Sequence, residues 1–189
     1  MGQISEISDL VARLGRIAHT LQFSAGLNPA QWEALRYLDR ANRYSRTPSA
    51  LAAYMGTTKG TVSQTLIALE AKGYVERPRA GADRRSVSRV GTENGRDLLG
   101  KAPLRILQEA GGTLSAADGD AMRNGMNLLV GVLTRTLGRC EFGICDECRH
   151  LLSADGKDDV AAPVHCGFIG EPLSEIDLER ICVNFQPAH

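Results

Sequence analysis

Three residues, Gly56, Thr57 and Thr58, separate two helical stretches of this chain. The first, "TPSALAAYMG", opens on Thr47, a good N-cap with Pro48 behind it, and closes on Gly56. The second, "TTKGTVSQTLIALEAKG", runs to Gly73, a common C-terminal stop. A turn of this length is the one that links the two helices of a helix-turn-helix unit. In the second helix Val62, Leu66 and Leu69 fall on one face and should pack inward. The opposite face of its first turns presents Thr57, Gly60, Thr61 and Gln64, flanked by Thr58, Lys59 and Ser63. Hydroxyls and amides there can bond base edges, and a glycine lets the backbone approach DNA closely. An ordinary amphipathic surface helix has a polar face too, so the weight falls on the residues beyond Gly73.

There the pattern changes. "YVERP" and "SVSRV" are short β-branched runs on either side of "RAGADRR", which predicts a hairpin with a charged tip. Four arginines precede the second strand, and Asp83 cannot neutralise them all, so some should meet phosphate or enter a minor groove.

From about Asn28 to Gly95 the sequence resembles the MarR family of winged-helix transcription regulators. "TVSQTLIALEAKGYVER" is similar to that family's recognition helix and first wing strand, "DRRSV" to its Asp-x-Arg wing motif, and "TENG" to the turn after it. The resemblance implies a homodimer whose two winged helices dock on the halves of a pseudo-palindromic double-stranded DNA operator. It places Thr61, Ser63 and Gln64 in the recognition helix, next to Thr58 and Lys59. It places Asp83 and Arg85 on the wing, Asp83 to orient the loop and Arg85 to reach the minor groove, with Arg84 beside them for phosphate.

The remaining helices are set by period and punctuation. Residues 3–24 carry Ile4, Ile7, Leu10, Val11, Leu14, Ile17, Ala18 and Leu21 at helical spacing. Asn28, Pro29 and Gln31 give a capping-box start to the next helix. Thr92 caps another, in which Pro103 predicts a kink or break, and Ser115 with Asp118 starts a long last helix. The two outer helical regions, 3–24 and 92–138, offer the apolar stripes that a dimer interface needs. The expected fold is therefore mainly α with a small β-hairpin wing, a winged helix-turn-helix over residues 1–139, and a metal-binding extension over 140–189.

That extension is where the chain departs from the family. None of its five cysteines precedes Cys140. Net charge is zero only by cancellation: residues 57–101 carry nine Lys/Arg against five Asp/Glu, and residues 140–189 three against ten. A basic middle suits a polyanion and an acidic end repels one. The first residues show no basic leader and no unbroken apolar run, so a cytoplasmic protein without a membrane span is expected. In that compartment clustered cysteines are metal ligands or redox groups more often than disulfides.

Cys145-x2-Cys148 puts two thiols on one turn. Cys166 lies in "HCGFIGEPLS", a glycine-containing loop, and Cys182 is expected from the last turns of a short helix capped by Ser174. A zinc ribbon wants a second Cys-x2-Cys pair, which is missing. Isolated third and fourth ligands among Phe142, Ile144, Phe168 and Ile169 suit a shielded iron–sulfur cluster, [2Fe-2S] or [4Fe-4S], with structural zinc or plain thiol–disulfide sensing as alternatives. The expected ligands are Cys145, Cys148, Cys166 and Cys182. Cys140 is the likeliest outsider, and His150 and His165 are possible substitutes. The chain has neither a nucleotide-binding glycine motif nor a nucleophile–base arrangement, so it is not expected to be an enzyme. The expected function is a dimeric DNA-binding repressor whose cluster senses iron, oxygen or redox state. The alternative is a regulator with structural zinc, controlled by a small organic ligand.

Overall fold

The computed structural model describes residues 3–77, 89–152 and 164–188, with the side chains of residues 3–5 left aside. The order is α1 (Gln3–Leu21), α2 (Pro29–Arg40), α3 (Pro48–Met55), α4 (Lys59–Ala71), β1 (Val75–Glu76), β2 (Val90–Gly91), α5 (Glu93–Leu99), α6 (Arg105–Gly111) and α7 (Ala116–Thr136). A 3-10 turn (Cys145–Glu147), β3 (Leu151–Leu152), β4 (His165–Cys166), β5 (Glu171–Pro172) and the single-turn α8 (Glu175–Leu178) complete it. Among the described residues no helix is long and apolar enough to cross a membrane.

The caps fall where the side-chain chemistry calls for them. Asn28 and Gln31 form a reciprocal capping box, and the hydroxyls of Thr47, Thr58, Thr92, Ser115 and Ser174 each accept an amide from the first turn of the helix they precede. Gly56 ends α3 at φ 62°, a left-handed conformation that glycine adopts without the steric cost of a Cβ. Pro103 breaks the post-wing helix as expected, separating α5 from α6.

The core gathers Trp32, Leu35, Leu38, Leu51, Val62, Leu66, Leu69 and Val75, all but sealed from solvent, where α2, α3 and α4 pack on one another. β1 pairs antiparallel with β2, Val75 opposite Gly91 and Glu76 opposite Val90. The "TENG" turn locks α5 onto this hairpin. Thr92 donates its hydroxyl to the Gly73 carbonyl (2.7 Å) and its amide to that of Tyr74 (3.1 Å). Gly95 lies so close to the Tyr74 carbonyl that a Cβ there would collide with it.

α1 and α7 do not share this core. Leu10, Val11, Leu14 and Ile17 on α1 and Met122 and Met126 on α7 remain 41–58% exposed. With Ile7, Gly125 and Leu129 they line an open apolar groove of about 690 Å³. Burying such a stripe is the usual source of a helix's tertiary stability, so these two helices need apolar surface from outside the chain.

Candidate functional site

The polar face of α4 is held out to solvent by the apolar face beneath it. Val62, Leu66 and Leu69 are at most 1% exposed, whereas Thr58, Lys59, Thr61, Ser63 and Gln64 are all exposed. Thr58 has a structural duty as well: its hydroxyl accepts the Thr61 amide (3.2 Å) and lies 3.0 Å from the Thr61 hydroxyl. Lys59, Ser63 and Gln64 therefore carry the freest polar ends, at the amino-terminal turns of a helix whose peptide dipole already favours anions. Asp83, Arg84 and Arg85 lie outside the described residues. One wing arginine is accounted for: Arg89 is buried, ion-paired with Glu70, and its amide bonds the Arg46 carbonyl (2.9 Å). It anchors the hairpin base and does not add to the basic surface.

The cysteine-bearing end is built on a small sheet. β3 pairs with β4, Leu151 opposite Cys166, and β4 with β5, Cys166 opposite Glu171. Cys145 and Cys148 stand on one tight turn, as their spacing predicts, closed by the Cys148 amide on the Cys145 carbonyl (3.0 Å). Two expectations need correcting. Cys166 is on a strand, not in a loop, because backbone pairing on both sides claims it. Cys182 is not delivered by a helix: α8 stops at Leu178, and Cys182 instead pairs with Gly143, its amide on the Gly143 carbonyl (2.9 Å). A Cβ at Gly143 would come within 2.6 Å of the Phe185 ring, which would have to shift to admit it.

All five cysteines are free thiols. Cys145, Cys166 and Cys182 are buried, Cys148 is half-buried and Cys140 is exposed. The first four form a neighbourhood. Burial pushes the Cys145 thiol up to about 12, and Cys182, Cys148 and Cys166 push in the same direction, as does Asp177. Among the described residues no group of three or more His, Cys, Asp or Glu side chains is arranged to hold a metal ion. His150 Nε2 is buried without a hydrogen-bond partner beside this cluster. His165 pairs through its backbone with Leu152 and Pro172.

The extension packs against the winged-helix unit. Its main seat is the loop between α2 and α3. Ile181 enters the winged-helix core, 8% exposed. Its amide donates to the Arg40 carbonyl (2.9 Å), and its carbonyl accepts the Asn42 amide (2.9 Å). The Val183 amide donates to the Ser45 hydroxyl (2.9 Å), and Arg180 donates to the Asp39 carbonyl. From the same loop Arg43 donates to the Pro172 carbonyl and stands 3.6 Å from the Asp177 carboxylate. Burial works to raise that carboxyl, but the Ser174 hydroxyl and amide and Arg43 together hold it below the usual range. Phe142 completes the seat, edge-on to Tyr54, which in turn stacks on Tyr37. A second, lighter contact reaches α7 through Arg135 and Glu141 (3.3 Å). Sequence reading missed this docking, although the apolar pair around Cys182, Ile181 and Val183, was its visible trace.

Comparison with known proteins agrees with this geometry. The MarR family model matches residues 25–86. FabT from Streptococcus pneumoniae, solved in complex with DNA, superposes with a TM-score of 0.57 at 23% identity, covering 71% of this chain and 99% of FabT. MepR from S. aureus, solved as a DNA complex, gives 0.52 at 20% identity over 70% and 99%. CouR from Rhodococcus jostii, bound to p-coumaroyl-CoA, gives 0.53 at 21% identity over 68% and 94%. These structures are matched almost whole, so this chain carries material that they lack. No match is found among curated proteins. Residues 25–86 thus match the MarR family model, within a fold that this chain shares with these solved structures.

Proposed function

We propose that the protein is a dimeric DNA-binding transcription regulator, acting as a repressor, that uses a cysteine-held iron–sulfur cluster to sense iron, oxygen or redox state. The observation that carries the DNA-binding part is α4: a solvent-facing row of Lys59, Thr61, Ser63 and Gln64 above a sealed apolar face, in a MarR-family unit. That row suits base edges in a major groove, and the arginines of the 77–85 segment suit phosphate and minor groove. FabT and MepR were both solved with DNA. The apolar groove between α1 and α7 favours a second copy of the chain, which would present a second α4 to the other half of a pseudo-palindromic site. Nothing here asks for catalysis, and MarR-family proteins are regulators rather than enzymes.

For the cluster, the support is chemical. Four thiols from three separate stretches of chain converge, three of them buried, with no disulfide among them. Cys145, Cys148, Cys166 and Cys182 would hold the group, with the His150 nitrogen as the spare donor. Binding would draw the thiols together as thiolates and supply folding free energy to a segment with little core of its own. Structural zinc fits the same donors.

A second reading has an observation of its own. A cavity of about 570 Å³ lies between α3, α7 and the extension, with Tyr54, Asn127, Thr134, Arg135, Glu141 and Phe185 on its walls. An organic effector there would touch both the dimer helix and the helix-turn-helix.

The test is made on protein purified without oxygen. Brown protein containing iron and sulfide, bleaching in air, is expected; colourless protein with one zinc per chain would replace the cluster by a structural metal. A duplex selected from a random-sequence pool should bind, and Lys59→Ala or Arg85→Ala should weaken it and reduce the salt slope by about one. An unchanged slope would contradict the assignment of the reading face.

A further inference from the structure

We infer that Arg139, which lies beyond the residues matched by the family model, is a DNA-backbone contact: its guanidinium is held over the turn of the helix-turn-helix, where it meets a phosphate beside the groove that α4 enters. This rests on the DNA-binding reading of α4 and adds to it a cation supplied by the end of α7.

Two helix ends meet here, and a glycine closes each. At the end of α7 the Gly138 amide donates to the Arg135 carbonyl (3.1 Å) and the Arg139 amide to the Thr134 carbonyl (2.9 Å), with Gly138 at φ 59°. That pair of bonds stops the helix and reverses the chain. α3 closes in the same way, with the Gly56 amide on the Ala53 carbonyl (3.3 Å) and the Thr57 amide on the Ala52 carbonyl (3.0 Å). The Arg139 guanidinium lies against Gly56, in the space that a side chain would fill: a Cβ there would stand 2.9 Å from its Cζ. The carbonyl end of α3 carries only a partial negative charge, enough to favour a cation there without cancelling it.

Position decides what this cation can meet. Gly56 stands two residues before Thr58, the N-cap of α4, so the two are within about 7.6 Å. In a helix-turn-helix the first residues of the second helix read base edges, and the turn before them lies at the phosphate wall of the groove. The planar fork of an arginine matches a phosphate at that wall.

Arg139 is also available. It is exposed and, among the described residues, enters no ion pair, whereas Arg123 and Arg135 on α7 are paired with Asp120 (2.9 Å) and Glu141 (3.3 Å). The seat of the acidic extension is at the opposite end of α3, about 12 Å away along an eight-residue helix. Glu141 and Glu147 share a cavity wall with Arg139. Glu141 is engaged by Arg135, which leaves Glu147 to oppose the approach of DNA.

The experiment uses the full-length protein and the duplex selected from a random-sequence pool. Arg139→Gln removes the charge at an exposed position. Between about 50 and about 200 mM salt it should reduce the log–log salt slope by about 0.9 for each protomer bound, and weaken binding by about tenfold near 100 mM. Arg139→Lys should restore the slope. Arg149→Gln, an equal change of net charge on the extension, should leave it as in the wild type. Uncharged methylphosphonate, placed at one phosphate at a time, should locate one position per half-site that weakens the wild type and not Arg139→Gln. A lower melting temperature or affinity in Arg139→Gln, with slope and methylphosphonate map unchanged, means that the guanidinium only fastens α7 to the turn, and overturns the inference. Failure of the underlying reading looks different. A wild type that enriches no duplex removes both, whereas a slope reduced by Lys59→Ala and not by Arg139→Gln removes Arg139 alone.

Discussion

Ile181 offers a direct measurement of how firmly the extension belongs to the DNA-binding unit. Replacing it with alanine removes three carbon atoms from a side chain only 8% exposed, among the residues that surround Trp32 and Leu38. At about 0.8 kcal/mol per buried methyl or methylene, the transfer contribution is about 2.4 kcal/mol. The cavity left behind brings the expected loss to roughly 2–5 kcal/mol. For a chain of this size each kcal/mol moves the melting temperature by about 2–4 °C, so a loss of about 3 kcal/mol lowers it by about 6–12 °C. The protein supplies its own probe, because Trp32 is its one tryptophan and is completely buried in the winged-helix core. Urea denaturation followed by Trp32 fluorescence should show the midpoint moving down for Ile181→Ala, with Ile181→Val costing about 0.5–1.5 kcal/mol. A Trp32 transition displaced by less than about 0.5 kcal/mol, within the range of ordinary surface substitutions, would refute the reasoning: the segment around Ile181 would then rest against the core without being part of it.

Three further outcomes are expected. Leu14→Glu, in the α1–α7 groove, should convert the dimer to monomer in sedimentation while leaving the Trp32 emission unchanged; a dimer that persists places the interface elsewhere. Metal-free protein should lose stability in alkali. Folded Cys145 keeps its proton up to about pH 12 against an ordinary value of 9.0, so above about pH 9 the unfolded chain sheds a proton that the folded one retains, and stability falls. Denaturation midpoints from about pH 8 to about pH 10.5 should decline in the wild type and be flatter in Cys145→Ser; equal slopes would show that other groups set the dependence. Gly143→Ala, whose Cβ would meet the Phe185 ring, should destabilise the extension by about 1–3 kcal/mol, and thermal melts that do not shift would show that Phe185 turns aside freely.

The sequence was most legible where local chemistry alone decides structure. Capping residues named the helix starts at Asn28, Thr47, Thr92 and Ser115, and the short link at Gly56 identified the helix-turn-helix. Pro103 marked the break between α5 and α6. The candidate site was legible in kind, as a polar row on α4 and a gathering of cysteines. Anything set by partners distant in sequence could not be read. Cys166 gave no strand signal of its own and is a strand residue only because Leu151 and Glu171 flank it. "EIDLERIC" reads as a helix by propensity, yet it ends after one turn because Ile181 is drawn away to bond Arg40 and Asn42. Arg89 counts toward the basic surplus of residues 57–101, yet it is committed to Glu70.

The seat of Ile181 also bears on how such a chain can change over time. In a winged helix without an extension, the loop after α2 is ordinary surface, free to vary in sequence and length. Here Asn42 and Ser45 have become interior positions, shaped around a segment that arrives from the far end of the chain. Deleting the extension would therefore not restore a simpler ancestor. It would open the apolar hollow that Ile181 fills and remove the partners of the Asn42 amide and the Ser45 hydroxyl, so the loop is now fitted to the segment that covers it.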